Sequence, residues 1–165
     1  MAQGRPGRGR EGGVRVGLIS DTHGLLRPQA AAFLRGSDYI VHAGDIGSAE
    51  ILGELGRLAP TTAVRGNNDK GDWVSTVPDI AVLRLRGISI YVLHDVAELD
   101  LDPVAAGFRV VISGHSHRPS VREREGVLFV NPGSAGPRRF KLPVAVAELQ
   151  IRGAAVQARV TELAL

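Results

Sequence analysis

The amino-acid sequence predicts a mixed α/β domain in which a sandwich of mixed β-sheets is covered by outer helices. Short apolar runs alternate with helical patterns in the first half, an order typical of parallel strands joined by right-handed crossovers. Apolar runs in the second half come in pairs around a glycine, which is typical of β-hairpins. The chain has 165 residues, which is enough to bury one substantial core. We therefore expect one folded domain.

The first half is predicted to contain three buried strands and two helices in the order β-α-β-α-β. The strands are the apolar runs at residues 14–20, 39–43 and 61–65. The first helix is expected at 28–34, because Pro28 suits the first turn of a helix. The second helix is expected at 48–59, with Ser48 as its N-cap. Four aliphatic side chains recur on one face of this second helix, which predicts that the face is buried. They are Ile51, Leu52, Leu55 and Leu58.

The second half is predicted to consist mainly of hairpins. Three pairs of apolar runs are joined by turns that contain glycine: 82–86 with 88–93, 120–125 with 127–130, and 144–152 with 154–162. One more buried strand, at 108–113, lies between the first two pairs. No internal repeat or second domain boundary is visible. We therefore divide the chain into residues 1–13, a Gly/Arg tail predicted to be disordered, and a single domain at 14–165.

The basic character of the chain comes largely from this tail. The formal net charge of the chain is +3, and three arginines (Arg5, Arg8 and Arg10) against Glu11 give the tail +2, which leaves +1 for the domain. Unpatterned basic segments bind polyanions weakly, and the tail has no aromatic side chain that could stack on a base. Specific nucleic-acid binding is therefore not expected.

Two absences narrow the chemistry and the compartment. The chain has no cysteine, so disulfides and thiolate ligands are excluded, and any metal would be held by oxygen and nitrogen atoms. No apolar run approaches the ~20 residues of a membrane-spanning helix, and the basic N-terminus is not followed by the apolar stretch of a secretory signal. We therefore expect a cytoplasmic protein with no membrane partner.

Four polar motifs follow apolar runs that are predicted to be strands. They are Asp21-Thr22-His23, Gly44-Asp45, Gly66-Asn67-Asn68-Asp69 and Gly114-His115-Ser116-His117. His94 ends a further predicted strand between the last two motifs. The chain has only 5 histidines, and four of them fall at these positions. Because imidazole, carboxylate and amide oxygen ligands bind divalent metals, the motifs predict a metal site.

The positions of the motifs predict that their side chains meet. Ligands of open α/β folds bind at the carboxyl ends of the strands. Asp21 and His23 are two residues apart, as are His115 and His117, so in extended chain each pair points to one side. A glycine directly precedes three of the motif residues and permits close backbone approach. Taken alone, Gly44-Asp45 is more often a turn and residues 66–69 are more often a loop with Asx-type hydrogen bonds. His42, inside a strand, is predicted to be structural. Together the motifs favour one metal site.

The order of these motifs resembles that of the calcineurin-like metallophosphoesterases: Asp-x-His, Gly-Asp, Gly-Asn-x-Asp, a lone His and Gly-His-x-His. Within that superfamily, the short chain and the stretches 40–45 and 131–134 resemble the small prokaryotic (YfcE-like) phosphodiesterases. The resemblance covers residues 14–147. It implies a four-layer αββα fold, hydrolysis of a phosphoester, most specifically a phosphodiester, and a centre of two divalent metal ions.

The resemblance also implies a role for each motif residue. The first metal ion would be held by Asp21, His23 and His117. The second would be held by Asn67, His94 and His115. Asp45 would bridge both ions, since a carboxylate can offer oxygen to two cations and an imidazole cannot. A hydroxide bridging the ions, which lie ~3.5–4 Å apart in such centres, would attack phosphorus in line with the leaving oxygen. No protein nucleophile would be needed.

Two positions depart from the pattern of the superfamily. Where many members have a histidine that assists the leaving group, this chain has Asn68, an amide that can hydrogen-bond a phosphoryl oxygen but cannot act as a general acid. We therefore expect turnover to depend steeply on leaving-group pKa. Asp69, next to it, is expected to orient its neighbours, and we assign both residues to the catalytic group. The second departure is Asp95, where a small residue is common; it either adds charge at the site, alters access or faces solvent.

Metal, partners and an alternative function also follow from the resemblance. Mn²⁺ is the first expectation for the metal, with Fe, Zn²⁺ and Ni²⁺ as alternatives. The partner is expected to be a small phosphoester, and strand edges favour a homodimer. The stretch 131–134 is either a loop beside the substrate or a structural turn. The fold also occurs as a metal-poor protein-interaction scaffold in the eukaryotic retromer complex, which is the alternative to an enzyme. Scaffold relatives have lost ligands, whereas each position here carries a competent donor.

Overall fold

The computed structural model describes residues 13–165 and folds them into two five-stranded β-sheets. In chain order the strands are β1 (Gly13–Ile19), β2 (Tyr39–His42), β3 (Thr61–Ala63), β4 (Ile80–Leu85), β5 (Ile88–Leu93), β6 (Val110–Ile112), β7 (Ser120–Arg124), β8 (Val127–Asn131), β9 (Ala145–Arg152) and β10 (Ala155–Glu162). The α-helices are α1 (Pro28–Leu34) and α2 (Ala49–Leu58). Every predicted strand and helix is present, and no end differs from its prediction by more than two residues.

The first sheet combines the parallel strands of the first half with the last hairpin. Its strand order is β10-β9-β1-β2-β3. β1 pairs in parallel with β2, and β2 with β3, because α1 and α2 return the chain across one face before each new strand begins. β9 pairs antiparallel with β1 on its other side, and β10 follows as the edge.

The second sheet has parallel strands at its centre and a hairpin at each edge, in the order β4-β5-β6-β8-β7. β5, β6 and β8 run parallel, whereas β4 and β7 are antiparallel to their neighbours. Both hairpin turns have two left-handed residues: φ is 53° and 81° at Arg86 and Gly87, and 52° and 80° at Glu125 and Gly126. Two left-handed residues suit the twist of paired strands, which explains why glycine marked these hairpins in the sequence.

The main apolar core lies between the two sheets. Val16 and Leu18 of β1, Ile90 of β5 and Ile112 of β6 belong to one buried cluster, since alternate residues of a strand share a face. Helices α1 and α2 cover the outer face of the first sheet with a second cluster that includes Leu34. The predicted helical face of α2 is confirmed, with Ile51 and Leu55 buried and Leu52 and Leu58 packed at its margin.

A thinner layer covers the outer face of the second sheet. It consists of a single-turn 3-10 helix at Val96–Glu98 and the segment 99–108. From this segment Leu99 and Phe108 pack against the cluster of Tyr91, Leu93, Val111 and Val127, and the rings of Phe108 and Tyr91 are in contact. The molecule thus has the four layers that the resemblance implies, with a 3-10 turn in place of longer helices on this side.

Some local details differ from the sequence prediction. The 3-10 helices at Asp72–Thr76 and Val96–Glu98 were not predicted, because such short turns have no hydrophobic period. Ser48 is the N-cap of α2, but its side chain makes no capping hydrogen bond. The predicted basic tail lies outside the described residues except for Gly13, which begins β1. Within the described part of the chain, no helix is long and apolar enough to cross a membrane.

Candidate metal centre

The loops after β1 and β2 run side by side at the carboxyl ends of these strands. The N–H of Asp21 donates to the carbonyl oxygen of Gly44 (3.0 Å), and the N–H of His23 donates to that of Asp45 (2.9 Å). Parallel strands end at the same edge of a sheet, so the two motifs continue the pairing of β1 and β2 beyond the strands. The carboxylates of Asp21 and Asp45 are thereby brought to one rim and are almost fully buried.

The loops after β5 and β6, which belong to the second sheet, contact the rim formed by Asp21 and Asp45. The N–H of Gly114 donates to the carbonyl oxygen of His94 (2.9 Å), which joins these two loops. The N–H of His115 then donates to Asp21 Oδ2 (3.1 Å). This last hydrogen bond connects the two sheets at the centre of the site.

One group of candidate ligands surrounds Asp21 Oδ1. His117 Nε2 lies 3.3 Å from this oxygen, and His23 Nε2 lies 3.8 Å from it. The two imidazole nitrogens are 3.4 Å apart. The ligand atoms of Asp21, His23 and His117 therefore all lie within 4.8 Å of one another, which is the first ligand set that the resemblance implies.

A second group forms around Asp45 Oδ2. His94 Nε2 lies 3.4 Å from this oxygen and 3.9 Å from Asp21 Oδ1. His23 Nε2 of the first group is 3.7 Å from Asp45 Oδ2. Asp45 thus lies between the two groups, as a bridging residue must, and Asp21 also contacts both. The ligand atoms of Asp21, Asp45 and His94 lie within 4.8 Å of one another.

Asn67 and His115 lie on the open side of this centre. They share a cavity of about 410 Å³ with His94. The ring of His115 packs edge-on against that of His94, with centroids 5.2 Å apart. The His115 side chain is 45% exposed, and its Nε2 is 3.7 Å from Asp95 Oδ2. Asp95 therefore adds negative charge beside a predicted ligand, one of the three roles the sequence left open for it.

The polar atoms of the centre suit divalent cations. Four buried side-chain atoms have no hydrogen-bond partner within residues 13–165, and three of them belong to the candidate ligands: Asp21 Oδ1, His94 Nε2 and His117 Nδ1. Buried polar atoms are normally satisfied, and an unpaired one is costly. His94 Nδ1 donates to the Ala43 carbonyl oxygen (2.7 Å), so the lone pair of Nε2 is left for a ligand. The donor set of carboxylate, imidazole and amide oxygen is one that Mn²⁺, Fe and Zn²⁺ accept.

The carboxylates and His94 shift each other's protonation. Burial by itself lowers the pKa of His94, but the contact with the Asp45 carboxylate, the hydrogen bond to Ala43 and the charge of Asp21 outweigh it and raise the pKa to about 8. Burial by itself raises the pKa of Asp45, yet the contact with His94 and the hydrogen bonds from Asn68 hold it well below its usual range. Asp45 is therefore ionised at neutral pH, which is the state that binds a cation.

Five of the seven predicted ligands have left-handed backbone conformations. The angle φ is 54° at Asp21, 47° at His23, 54° at Asp45, 67° at His115 and 61° at His117. This conformation costs about 1–2 kcal/mol for a residue with a side chain. Backbone strain of this kind clusters at functional sites, where surrounding contacts maintain it. Its concentration in these motifs favours a functional role over that of ordinary turns.

The glycines of the motifs leave room for the ligands. A Cβ on Gly114 would lie 2.0 Å from Ser20 Oγ and 2.6 Å from Asp21 Oδ2. A Cβ on Gly66 would lie 2.1 Å from Asp45 Oδ1, and one on Gly44 would lie 2.6 Å from His94 Nδ1. No side chain can be added at these distances without displacing a candidate ligand. The close approach expected from the sequence is therefore present at all three positions.

Asn68 and Asp69 occupy different places around Asp45. The backbone N–H of Asn68 donates to Asp45 Oδ1 (2.9 Å), and its side-chain amide donates to Asp45 Oδ2 (3.1 Å). Asp69 is buried, and both of its oxygens accept from backbone groups. Its Oδ1 accepts from the N–H groups of Ile46 (2.8 Å) and Gly47 (3.0 Å), and its Oδ2 accepts from Gly66 N–H (2.9 Å). It thereby joins the loop of Asp45 to the loop of Asn67, and its role in orienting its neighbours stays a prediction.

Three further residues support the loops of the centre, and of these only Ser20 was not singled out in the sequence. Ser20 Oγ donates to Asp21 Oδ2 (2.6 Å). The Asn131 amide donates to the Gly114 carbonyl oxygen (2.9 Å), and Ser134 Oγ donates to the Asp21 carbonyl oxygen (2.9 Å). The stretch 131–134 thus supports loops of both sheets from behind. The Asn-Pro-Gly-Ser sequence was the signal that marked this stretch. Its contacts with other loops favour the structural turn over a loop beside the substrate.

His42 is buried next to the centre and has a separate network. Its Nδ1 accepts from Gly44 N–H (3.1 Å), so its Nε2 carries the proton and donates to Thr22 Oγ1 (2.9 Å). Thr22 Oγ1 donates in turn to the Ile46 carbonyl oxygen (2.7 Å). Complete burial lowers the pKa of His42 to about 4. Both ring nitrogens are used in hydrogen bonds, so His42 is a structural residue, as its place inside β2 predicts.

Known proteins are similar to this chain in sequence over most of its length. Residues 14–153 match the family model of the Calcineurin-like phosphoesterase superfamily domain. A probable metallophosphoesterase of Methanothermobacter thermautotrophicus is 35% identical over 158 residues, covering 88% of this chain and 90% of that protein. A phosphodiesterase of Methanocaldococcus jannaschii is 27% identical over 138 residues, covering 73% of this chain and 83% of that protein.

Solved structures share the fold at low sequence identity. An archaeal phosphodiesterase superposes with a TM-score of 0.74 at 23% identity, covering 90% of this chain and 100% of that one. Vacuolar Protein Sorting 29 from Cryptosporidium parvum superposes with a TM-score of 0.75 at 19% identity, covering 94% of this chain and 100% of that one. The family model spans most of the chain, and the chain therefore belongs to the calcineurin-like phosphoesterase superfamily.

Proposed function

We propose that this protein is a hydrolase that cleaves phosphodiesters with the help of two divalent cations. The observation that carries the proposal is the pair of ligand groups at one rim, each with its ligand atoms within 4.8 Å of one another. They are joined through Asp21 and Asp45, and a competent donor stands at every position of the superfamily pattern. The 35% identity to a probable metallophosphoesterase supports the same activity.

The proposed ligand sets are those implied by the motif order. Asp21, His23 and His117 would hold one cation. Asn67, His94 and His115 would hold the other. Asp45 would be shared. When bound, two such cations supply an activated water as nucleophile and neutralise charge on the phosphoryl group.

The chain's own residues prepare the centre for this chemistry. Ala43 fixes the ring of His94 through Nδ1, and Ser20 engages Asp21 Oδ2, so the opposite atom of each ligand faces the centre. Asn68 lies 3.1 Å from Asp45 Oδ2, where its amide can donate to a phosphoryl oxygen. Because an amide cannot protonate a leaving alkoxide, the proposed enzyme prefers esters whose leaving group is already a weak base.

The test is turnover of bis-p-nitrophenyl phosphate by metal-reconstituted protein. Asp45→Ala and His115→Ala are expected to lower kcat/KM by at least about a hundredfold, because loss of a supporting residue alone costs up to that much. The matched control is Asp72→Ala, which removes an exposed carboxylate outside the centre and is expected to leave turnover unchanged. Turnover without added metal, or full activity in both ligand variants, would contradict the proposal.

The second candidate function is that of a protein-interaction scaffold. The structural likeness to Vacuolar Protein Sorting 29 favours it. The same assay separates the two candidates, since a folded protein that shows no turnover with Mn²⁺, Fe²⁺, Zn²⁺ or Ni²⁺ would favour the scaffold. The complete set of donors favours the enzyme.

The proposal also covers the metal, the partner and the location. We take Mn²⁺ as the working metal, a small phosphoester as the substrate and the cytoplasm as the compartment, which the absence of cysteine permits. The exposed edges of β3, β4, β7 and β10 support a homodimer, which sedimentation equilibrium tests directly.

A further inference from the structure

A groove on the outer face of the second sheet begins at the candidate metal centre. Its first part is a cavity of about 480 Å³ lined by His115, Asp95, Val96, Arg122 and Phe129, among others. His115 and Asp95 form the end next to the centre. The groove therefore opens directly onto a predicted metal ligand, and we call it the outer groove.

The register of the last hairpin of the second sheet determines what faces the outer groove. β7 and β8 pair Ser120 with Asn131, Arg122 with Phe129 and Arg124 with Val127. Directly opposed residues share a face, and Phe129 and Val127 pack in the outer cluster of the second sheet. The two arginines and the phenylalanine thus lie on one surface, with the apolar ring beside Arg122 and Val127 beside Arg124.

The distance of the arginines from the centre follows from strand geometry. The Asn131 side chain contacts Ser116 Oγ (3.1 Å), so the near end of the hairpin lies at the motif of His115. A strand advances by ~3.3 Å per residue. Arg122 is therefore roughly 7 Å, and Arg124 roughly 13 Å, farther along the groove than Ser120.

The cationic side chains of the groove belong to this stretch. Arg122 and Arg124 are exposed, and neither has an ion pair with residues 13–165. Asp95 at the metal end and Glu123 also line the cavity. Glu123 is in register with Leu128, which packs against the core between the sheets, so its side chain leaves β7 on the opposite face from the two arginines. Beyond Arg124 the groove continues into a second cavity of about 400 Å³ bordered by Asp102 and Glu125. A polyanion that followed the groove would meet these carboxylates, so the surface suits a short ligand.

We propose that the outer groove binds one organic group of the phosphodiester substrate and that this group carries a second phosphate. The apolar body of the group packs on Phe129 and Val96, and the second phosphate binds Arg122 and Arg124. Guanidinium groups form charge-assisted and bidentate hydrogen bonds with phosphate. The inference rests on the proposed function, since it assumes that the scissile phosphate lies at the metal centre.

The test compares two substrates that differ only in the second phosphate: the p-nitrophenyl ester of thymidine 5′-phosphate with and without a 3′-phosphate. The bisphosphate form is expected to have a roughly tenfold higher kcat/KM, because one charge-assisted hydrogen bond contributes about this factor to binding. The double variant R122Q/R124Q is expected to bring this ratio close to one. The control is Arg84→Gln, which removes one exposed arginine from the opposite edge strand β4 and is expected to keep both the turnover and the ratio.

A binding measurement separates failure of the groove from failure of the enzyme. Thymidine 3′,5′-bisphosphate is titrated into the protein by calorimetry, and R122Q/R124Q is expected to weaken its binding about tenfold relative to R84Q. If no nitrophenyl ester is hydrolysed but this difference holds, the groove binds phosphate and the proposed function is wrong. If the esters are hydrolysed with equal kcat/KM and the double variant binds like R84Q, the groove proposal is overturned.

Discussion

At the scale of single residues, the candidate ligands are held through the atoms that a cation does not use. Asp21 Oδ2 accepts hydrogen bonds from Ser20 Oγ and from the His115 N–H, which leaves Oδ1 facing His117. His94 Nδ1 donates to the Ala43 carbonyl oxygen, which leaves Nε2 for a ligand. Hydrogen bonds of this kind fix ring orientation and raise ligand basicity. The centre is therefore organised before any cation arrives.

Asn68 is expected to make turnover depend steeply on the leaving group, because its amide cannot supply a proton. Asn68→His would place a titratable group beside Asp45 and should flatten this dependence. The measurement is kcat for a series of diesters from nitrophenyl to alkyl leaving groups, with Asn68→Gln as the control that retains an amide. Equal rates of the unsubstituted protein across the series would contradict this role.

Asp69 is expected to act on the position of the metal ligands and not on the substrate. Asp69→Ala leaves the N–H groups of Ile46, Gly47 and Gly66 without their acceptor. Unfolding free energy should fall by about 3 kcal/mol, and Mn²⁺ affinity should fall roughly tenfold to a hundredfold. Urea unfolding and calorimetry measure the two effects. A variant with unchanged metal affinity but a lower kcat would show that Asp69 acts on the substrate instead.

His42 is expected to make stability depend on pH. Burial lowers its pKa from 6.5 to about 4 in the folded protein, so between these values the unfolded chain takes up a proton that the folded protein excludes. The contribution of His42 is complete above pH 6.5 and is lost as the pH falls towards 4. Between pH 7 and pH 5 the unfolding free energy should drop by about 2 kcal/mol through this residue.

His42→Asn is the matched comparison for this effect. Asn keeps an acceptor for Gly44 N–H and does not titrate, so the variant lacks this part of the pH dependence while the other titrating groups are shared. The quantity to measure is the difference in unfolding free energy between the two proteins at pH 7 and pH 5. A difference that does not change with pH would mean that His42 takes up its proton equally in the folded protein.

At the scale of elements, the strands and helices could be predicted because their signals are local. The helical face of α2 and the glycines of the β4–β5 and β7–β8 hairpins are encoded in a few consecutive residues. The division of the strands between two sheets could not be predicted. β9 joins the first sheet by pairing Gly13 with Arg152, a contact across nearly the whole chain. The outer groove depends on register in the same way.

The strand-end loops likewise combine predictable residues with contacts that were not predictable. Motif spacing indicates which side chains belong to the centre, and the structure brings Asp21, His23, Asp45, His94 and His117 together. The sequence contains no signal for the bond between His115 N–H and Asp21 Oδ2, because it depends on how the two sheets pack. Spacing therefore identifies the members of the site, and tertiary packing determines their geometry.

The glycines of these loops are expected to be irreplaceable for steric reasons. Gly114→Ala places a Cβ 2.6 Å from Asp21 Oδ2, so either the loop after β6 or the carboxylate must move. We expect Mn²⁺ affinity to fall at least about tenfold. The control is Gly56→Ala in α2, whose Cβ meets nothing within 4 Å and should stabilise the helix by roughly 0.5–1 kcal/mol. Unchanged calorimetric affinity in Gly114→Ala would show that the loop can relax without cost to the centre.

At the scale of the whole molecule, the candidate centre joins the two sheets of the sandwich. Asp21, His23, Asp45 and Asn67 follow strands of the first sheet. His94, His115 and His117 follow strands of the second. Contacts between these two sets are few in the described structure: Asp21 meets His115 and His117, Asp45 meets His94, and His23 meets His117. Asp21 Oδ1 and His94 Nε2 have no hydrogen-bond partner among residues 13–165. A cation bound between the sets would add attraction across this boundary.

Divalent cations are therefore expected to stabilise both sheets together. A ligand that binds only the folded state adds about 2.7 kcal/mol to the unfolding free energy at a hundred times its Kd, and urea unfolding with Mn²⁺ and with EDTA measures this increment. Asp45→Ala and His94→Ala remove one ligand from each sheet, so each should abolish it, whereas Asp72→Ala should retain it. Hydrogen exchange adds the spatial test, because a cation held across the boundary must slow exchange at the ends of both β2 and β5. Protection confined to one sheet would contradict a shared centre and would assign the cation to one set of ligands alone.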